Sequence, residues 1–161
     1  MSTTQDAPVS TEVRWLDAQQ QVHWRAFLTG SAIVTAALSA QLEAEAGMSL
    51  SEYEILVRLS ESENHTLRMS QLADGLVHSR SRLTHTVRRM EDRGLVERMA
   101  CEGDGRGVNC HMTAHGYEAL VAAAPGHVTA VRRVLVDALT PEQFAALGDA
   151  MSTVSSSFEA R

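Results

Sequence analysis

The chain has 161 residues, enough for one domain with an extension and for a sizeable buried core. Hydrophobic residues make up 44% of it but aromatic residues only 4%, a composition that favours packed helices over a sandwich of many strands. The net charge of −6 argues against binding nucleic acid through overall charge. However, all 14 basic residues are arginine, and half of them fall between positions 80 and 106, so a local basic surface remains possible.

The sequence lacks the marks of a secreted or membrane protein. The first twelve residues are polar, without the basic and apolar regions of a signal peptide, and we expect residues 1–12 to form a flexible tail. No apolar run approaches the roughly 18 residues of a membrane span. Two cysteines make no disulfide framework. We therefore expect a soluble, cytoplasmic protein with no membrane partner.

A long helix is predicted from Val13 to about Ala46, with apolar residues near one face and Gly47 as its stop. About thirty residues exceed a typical globular helix, so we expect it to pack against more than its own domain. A second helix should begin within 49–54, where two overlapping capping boxes leave the start open. A loop over 60–66 is expected after it.

Residues 69–96 show the pattern of two short helices joined by a tight turn. Leu83, Val87 and Met90 form an apolar stripe on the second helix, with Ser79 as a suitable N-cap and Gly94 as a left-handed residue after its end. The side chains opposite or flanking that stripe are polar or basic: Ser81, Arg82, His85, Arg88 and Arg89. Such a helix fits a DNA major groove, although charge alone equally allows a solvated basic surface.

Two strands are predicted next, over 95–100 and 108–112, joined by a charged, glycine-rich tip at 102–107. A hairpin with Arg106 at its tip, following a candidate recognition helix, describes a wing. This combination is far more specific than either part, and it predicts a winged helix-turn-helix domain over 47–113.

Thr113 is expected to cap a further helix, with Tyr117, Val121 and Val128 among its inward residues. The Pro125-Gly126 pair should kink or break this helix midway, because proline removes a hydrogen bond and clashes with the preceding turn.

The last helix has the clearest start, with Thr140 as N-cap, Pro141 in the first turn and Gln143 closing a capping box. Its apolar residues follow a 3, 4, 3, 4 spacing, typical of a heptad seam: Phe144, Leu147, Met151, Val154 and Phe158. By itself this seam equally suits packing on the chain's own core. Together with the overlong first helix and its Leu16, it predicts a helical dimerisation region over 13–46 and 114–161.

Six segments, taken in order, resemble the MarR family of bacterial transcription regulators over nearly the whole chain. They are SLSEYEIL (49–56), MSQLADGL (69–76), SRSRLTHTVRRMEDRGLVER (79–98), DGRG (104–107), MTAHGYEAL (112–120) and LTPEQFAAL (139–147). The resemblance implies a mainly α fold with a small β-wing, assembled as a triangular homodimer with the terminal helices interlocked. Family members generally bind short palindromes, repress nearby genes and release DNA when a small, often phenolic ligand or an oxidant acts.

The resemblance also assigns candidate roles to single residues. The expected DNA contacts are Ser79, Arg80, Ser81, Arg82, Thr84, His85, Arg88 and Arg89, with Arg106 in the wing. Arg106 is expected either to enter the minor groove or to form an ion pair with Asp104 that braces the wing. The family's ligand pocket, between the first helix and the DNA-binding lobe, suggests Trp15, His23, Trp24 and Phe27; plain core and dimer packing is the alternative for these rings.

Two departures concern cysteine and metal chemistry. The family's oxidation-sensing cysteine near the start of the first long helix is absent here, and its zinc-sensor cluster has no counterpart. Cys101 and Cys110 flank the wing tip, where we expect them to face each other. A regulatory disulfide there is an alternative, but cytosolic disulfides are rare. Cys110, His111 and His115 make a poor zinc set because strand neighbours point to opposite faces, so no metal or cofactor is predicted.

No nucleophile elbow, phosphate loop or paired carboxylate suggests an enzyme. We therefore predict a homodimeric, sequence-specific DNA-binding transcription regulator, a repressor of a palindromic operator released by a small phenolic or aromatic ligand. The alternatives are a thiol-based redox regulator acting through Cys101 and Cys110, and a helical dimer whose winged domain binds another protein.

Overall fold

A computed structural model describes residues 13–75, 80–101 and 104–159, so the expected tail at 1–12 and Ser79 lie outside the described residues. The described chain is mainly helical with one small antiparallel sheet, as expected. Its elements are α1 (Ala18–Ala46), α2 (Leu50–Ser60), β1 (Thr66–Arg68), α3 (Met69–Gly75), α4 (Arg80–Asp92), β2 (Val96–Cys101), β3 (Asp104–Met112), α5 (Ala114–Val131) and α6 (Pro141–Glu159).

The chain divides into two compact units, Met1–Ile33 and Val34–Arg161. The described part of the first unit is mainly the N-terminal half of α1. That helix begins at Ala18, later than the predicted Val13, because Asp17 caps it. The Asp17 Oδ1 atom accepts the Gln20 N–H at 2.8 Å, and the Gln20 side chain accepts the Asp17 N–H at 3.0 Å.

In the second unit, α2 begins with the first of the two possible capping boxes. The Ser49 hydroxyl accepts the Glu52 N–H at 3.3 Å, and the Glu52 carboxylate accepts the Ser49 N–H at 2.8 Å. Two backbone N–H groups at the N-terminus of the helix are thereby satisfied locally. The helix ends at Ser60, and the predicted loop after it contains a short 3₁₀ turn, Glu63–His65, before β1.

The core of this unit lies between α2, α3, α4, the sheet and α5. It is aliphatic, as the composition requires, and its fully buried side chains include Leu42, Met48, Ile55, Leu56, Leu59, Leu72, Val87, Met90, Val96 and Met112. The inner faces of the predicted helix-turn-helix therefore meet in one continuous cluster, which fixes the orientation of α4.

The sheet has the order β1-β3-β2, with antiparallel pairing throughout. Strand β3 begins at Asp104, earlier than predicted, because Asp104 pairs with Cys101 beyond an irregularity in the register between Ala100 and Cys101. Residues 104–107 of the expected tip therefore belong to the strand.

The two cysteines do not face each other, so that prediction is wrong. Cys110 pairs with Arg98 and Cys101 pairs with Asp104, with an irregularity in the register between Ala100 and Cys101. Three residues along a strand correspond to about 10 Å, well beyond the span of a disulfide.

Helix α5 continues through Pro125, which corrects the expected break. The Thr129 hydroxyl donates to the Pro125 carbonyl at 2.8 Å, and the helix runs into a π-helical turn, Arg132–Val136. The predicted inward face is also wrong for three residues, since Tyr117, Val121 and Val128 are exposed.

The buried face of α5 instead carries Gly116, Leu120, Ala123 and Ala130. Small residues there allow close packing; a Cβ atom at Gly116 would overlap the Leu95 carbonyl group. By length and mean hydropathy alone, the stretch Ala114–Val136 is long and apolar enough to cross a membrane. Leu120 and Ala123 of this stretch nevertheless belong to the packed core.

The chain enters and leaves the wing at one point. The Thr113 N–H donates to the Leu95 carbonyl at 3.1 Å, and the Thr113 hydroxyl donates to the Gly94 carbonyl at 2.6 Å. The same hydroxyl caps α5 by accepting the Gly116 N–H at 3.0 Å. One threonine therefore joins the end of α4, the base of the wing and the start of α5.

Helix α6 starts as predicted. The Thr140 hydroxyl accepts the Gln143 N–H at 3.2 Å, and the Gln143 side chain accepts the Thr140 N–H at 3.0 Å. The seam residues Phe144, Met151, Val154 and Phe158 are exposed and Leu147 is half-buried.

Candidate nucleic-acid interface

Helix α4 has two sharply different faces. Leu83, Val87 and Met90 are almost completely buried, as predicted, and Thr86 joins them with its hydroxyl donating to the Arg82 carbonyl at 3.0 Å. The opposite face is exposed to solvent. The helix is therefore anchored by one side and free to present the other.

The exposed face gathers five of the predicted DNA-contacting residues into one open groove of about 720 Å³ along the helix. These residues are Ser81, Arg82, His85, Arg88 and Arg89. Three guanidinium groups with hydroxyl and imidazole groups between them can donate hydrogen bonds to phosphates or to guanine edges. The side chain of Arg80 lies outside what the structure describes.

Thr84 lies on a different flank of α4, where a second cavity of about 460 Å³ opens between α3 and the wing. Arg68, Arg98 and Val108 also line it. The structure describes the backbone of Asp104 and Arg106 within β3 but not their side chains, so the roles of these two residues remain predictions.

The C-terminal end of α4 is held by local backbone geometry. Gly94 adopts the predicted left-handed conformation with φ 69°, and the Leu95 N–H donates to the Met90 carbonyl at 2.9 Å. This satisfies the end of the helix and turns the chain directly into β2.

An ion pair ties α4 to the wing. The Arg98 guanidinium donates to Glu91 Oε2 at 2.7 and 3.0 Å, and the Arg98 backbone N–H donates to Glu91 Oε1 at 3.1 Å. These hydrogen bonds lower the pKa of Glu91 and raise the pKa of Arg98 from their ordinary values. The wing and α4 are thereby joined by side-chain contacts as well as by the backbone.

A second acidic residue behind α4 was not predicted to have a role there. Glu52 of α2 is 5% exposed, yet its carboxylate lies 3.5 Å from Arg93 Nη1 and 3.9 Å from Arg89 Nη2. The capping box identified Glu52 in the sequence, but its arginine contacts join residues about forty positions apart. Helical spacing reports only neighbours within one helix, so it could not reveal them.

The four candidate ligand residues all lie in the first unit. Trp15 is 83% exposed, and Trp24 stacks on Phe27 with ring centroids 5.9 Å apart. His23 contacts the Gln19 side chain at 3.1 Å. None of the four lines either cavity beside α4, so their role as a ligand site remains a prediction.

The geometry gives little support to thiol chemistry. Cys110 is completely buried, and burial raises the pKa of its thiol to about 12, so it remains protonated at neutral pH. The Cys101 thiol donates to Asn109 Oδ1 at 2.9 Å. His111 contacts the Thr66 hydroxyl at 2.9 Å, and no group of three metal-ligating side chains occurs among the described residues.

The sequence and the fold both match known proteins. The MarR family profile matches residues 48–108. Sco3205 of Streptomyces coelicolor, a MarR family transcriptional regulator solved in complex with DNA, is 43% identical, with a TM-score of 0.85 over 89% of this chain and 90% of that one. AbsC, a MarR family regulator from the same organism, is 40% identical, with a TM-score of 0.86 over 92% of this chain and all of AbsC.

A curated relative matches only in part. The transcriptional repressor MprA of Escherichia coli K12 is 33% identical over 70 residues, which cover 44% of this chain and 40% of MprA. The match therefore spans less than half the length of that relative. These proteins are regulators rather than enzymes, in agreement with the absence of a catalytic motif from the sequence. On the strength of two near-complete structural matches at 40% identity or more, the chain belongs to the MarR family of transcriptional regulators.

Proposed function

We propose that this chain is a homodimeric repressor that binds a palindromic operator through α4 and the wing. The observation that carries the proposal is the outward face of α4, where Arg82, His85, Arg88 and Arg89 share one groove above a fully buried apolar stripe. Supporting evidence comes from Sco3205, a relative solved with DNA, and from MprA, a repressor.

The charge distribution favours this surface despite the overall charge of −6. At physiological salt, charges separated by more than about 8–10 Å are largely screened. A phosphate beside α4 therefore responds mainly to its local arginines, and acidic residues elsewhere contribute little. A guanidinium can also donate two hydrogen bonds to guanine, which provides sequence discrimination as well as affinity.

The first experiment selects preferred sequences from a random pool of duplexes with the wild-type protein. Binding of the selected duplex and of a shuffled one is then measured by fluorescence anisotropy at several salt concentrations. Arg88→Ala or Arg82→Ala should cost about 1–3 kcal/mol on the selected duplex if the residue reads a base. If it contacts phosphate, affinity should fall equally on both duplexes, and the salt slope should flatten by about one unit.

Arg133→Ala is the matched control, because Arg133 is an exposed arginine on the π-helical turn, away from α4. Failure of the wild-type protein to select any sequence would refute sequence-specific binding. Equal affinities for the control and both α4 variants would refute the assigned surface. A winged domain that binds protein instead should show only weak DNA binding that moderate salt abolishes.

The proposed homodimer is supported by apolar side chains of α5 and α6 that are exposed to solvent in the single chain. Phe144, Val154 and Phe158 of α6 are 40%, 59% and 82% exposed, and Tyr117 and Val121 of α5 are exposed as well. Patches of this kind mark interaction surfaces in soluble proteins. Two copies would place two recognition helices on half-sites about one helical turn apart, as palindromic operators require.

We also propose that a small aromatic ligand regulates DNA binding through Trp15, His23, Trp24 and Phe27. The stacked, half-exposed Trp24–Phe27 pair supports this because it offers a flat apolar surface for another ring. Both tryptophans of the chain are among these four residues, so tryptophan fluorescence, excited at a wavelength that tyrosine does not absorb, reports on the candidate site alone. Salicylate, as a phenolic carboxylate probe, should change that fluorescence and lower DNA affinity; no change in either would refute the site for this probe.

A further inference from the structure

Glu52 is a buried acid in an unusual position. Its carboxylate closes the capping box of α2, accepting the Ser49 N–H at 2.8 Å and the Ser49 hydroxyl at 2.9 Å through Oε2. Only 5% of the residue is exposed. A buried carboxylate needs positive or hydrogen-bonding partners to offset its desolvation, and the serine satisfies one oxygen locally.

The remaining partners come from the end of the recognition helix. Arg93 Nη1 lies 3.5 Å from Oε2 and Arg89 Nη2 lies 3.9 Å from Oε1, so the carboxylate faces both arginines. The Arg89 and Arg93 side chains are 64% and 42% exposed, and Arg89 also lines the proposed DNA groove. One buried negative charge therefore acts on a cation that is exposed toward the DNA surface.

We infer that Glu52 is a positioning residue that sets DNA specificity: it draws Arg89 and Arg93 toward α2, which fixes the end of the recognition helix and limits sequence-independent phosphate binding by Arg89. The inference rests on the proposed DNA-binding function. In this proposal, Glu52 does not contact DNA but determines how strongly Arg89 attracts a phosphate.

The expected effect follows from counterion release. An arginine held by a carboxylate attracts a phosphate less than one without such a partner, because the two charges partly cancel. Neutralising Glu52 should therefore add about one phosphate contact per protomer on any sequence. Each added contact steepens the dependence of log affinity on log salt concentration by about 0.9 and should strengthen binding to a shuffled duplex roughly three- to tenfold at moderate salt.

The test compares Glu52→Gln with Glu61→Gln in the full-length protein. Glutamine keeps an oxygen for the capping box and removes the charge, and Glu61 is an exposed glutamate at the other end of α2 that provides the same charge change. Affinity is measured on the duplex selected by the wild-type protein and on its shuffled counterpart. For Glu52→Gln, we expect tighter shuffled binding, a steeper salt slope and a selected-to-shuffled affinity ratio at least threefold below that of the control.

A double-mutant cycle separates positioning from a general structural effect. If Glu52 acts through Arg89, the gain in shuffled binding should disappear when Glu52→Gln is introduced into an Arg89→Gln background. A gain that persists in that background, or an affinity ratio equal to that of the Glu61→Gln control, would overturn the inference. If the wild-type protein selects no sequence at all, the proposed function fails first, which distinguishes the two failures.

A second variant covers the case in which Glu52→Gln unfolds. Arg93→Gln leaves the capping box intact and removes one of the two arginines that face Glu52, so that the whole carboxylate charge then acts on Arg89. Sequence-independent binding should therefore weaken, and the selected-to-shuffled ratio of this variant should exceed that of Arg133→Gln, which has the same charge change. Equal ratios for these two variants would overturn the inference, and thermal melts followed by circular dichroism establish that both are folded.

Discussion

The winged lobe, residues 47–113, and helix α6 carry similarly regular apolar patterns, but only the lobe buries its pattern within the chain. Leu56, Leu59 and Met90 are completely buried, whereas Val154 and Phe158 of α6 are 59% and 82% exposed. Helical spacing of apolar residues therefore leads to a buried face in the lobe and to an exposed face in α6. The spacing of apolar residues identifies the face of a helix that packs against an apolar surface. It does not indicate whether that surface belongs to the same chain or to another one.

Helix α5 shows both outcomes on one element. Leu120 and Ala123 face the core of the lobe, while Val121 and Val128 on its other side are exposed. We interpret the first face as structural and the second as part of the proposed dimer surface. Substitutions in the two kinds of region should differ in whether their effects depend on protein concentration.

The largest effect is expected in the core of the lobe. Leu56→Ala should lower the free energy of unfolding by about 2–5 kcal/mol, because it removes a fully buried side chain and leaves a cavity. Urea denaturation at fixed protein concentration measures this loss. If Leu56→Ala lowers the free energy of unfolding by less than Val121→Ala, which alters an exposed position, the distinction between buried and exposed apolar faces is wrong.

A smaller effect on folding but a clear effect on assembly is expected in α6. The double substitution Val154→Ser and Phe158→Ser should raise the dimer dissociation constant by roughly ten- to a hundredfold, since apolar anchors dominate most interfaces. Sedimentation velocity over a dilution series provides the measurement. Ser152→Ala and Ser156→Ala, on the same helix, control for changes in helicity, and unchanged dissociation in the test variant would show that this seam is not the interface.

The smallest effect concerns the pH dependence of the lobe. His127 packs against Tyr53 with ring centroids 4.4 Å apart, and burial lowers the pKa of His127 below its ordinary value. Its neutral form is favoured in the folded protein, so stability is fully present above about pH 6.5 and declines as pH falls toward the folded-state pKa. His127→Phe should keep the ring packing and reduce this decline.

Thermal melts of wild-type protein and His127→Phe between pH 7.5 and pH 5 measure the difference. The two proteins should diverge most at the acid end, with the variant losing less stability. Parallel curves across the whole range would show that His127 does not contribute to the acid sensitivity of the lobe.

The sequence predicted best those features that depend on a few neighbouring residues. The caps at Thr140 and Gly94 and the two faces of α4 agree with the structure because they follow from local hydrogen bonding and helical spacing. The sequence alone allows two capping boxes at the start of α2. In the structure the capping box is at Ser49, where the Ser49 hydroxyl and the Glu52 carboxylate accept two N-terminal backbone N–H groups.

Two of the errors have their physical origin in contacts between elements distant in sequence. Cys110 pairs with Arg98 because strand register, not loop position, sets the partner. The contacts of Glu52 with Arg89 and Arg93 join α2 to the end of α4, which local spacing does not report. The continuation of α5 through Pro125 differs, because the Thr129 hydroxyl that donates to the Pro125 carbonyl is a local partner.

The hydrogen bonds of Thr113 to Leu95 and Gly94 have a consequence for the evolution of this protein. They bring the two ends of the β2–β3 hairpin together, so the segment between them behaves as an insertion whose termini meet. Exposed segments with adjacent ends tolerate changes of length and sequence well. The outer part of the hairpin, beyond its buried Val96, Cys110 and Met112, is therefore the part whose length and sequence can change while α4 keeps its place.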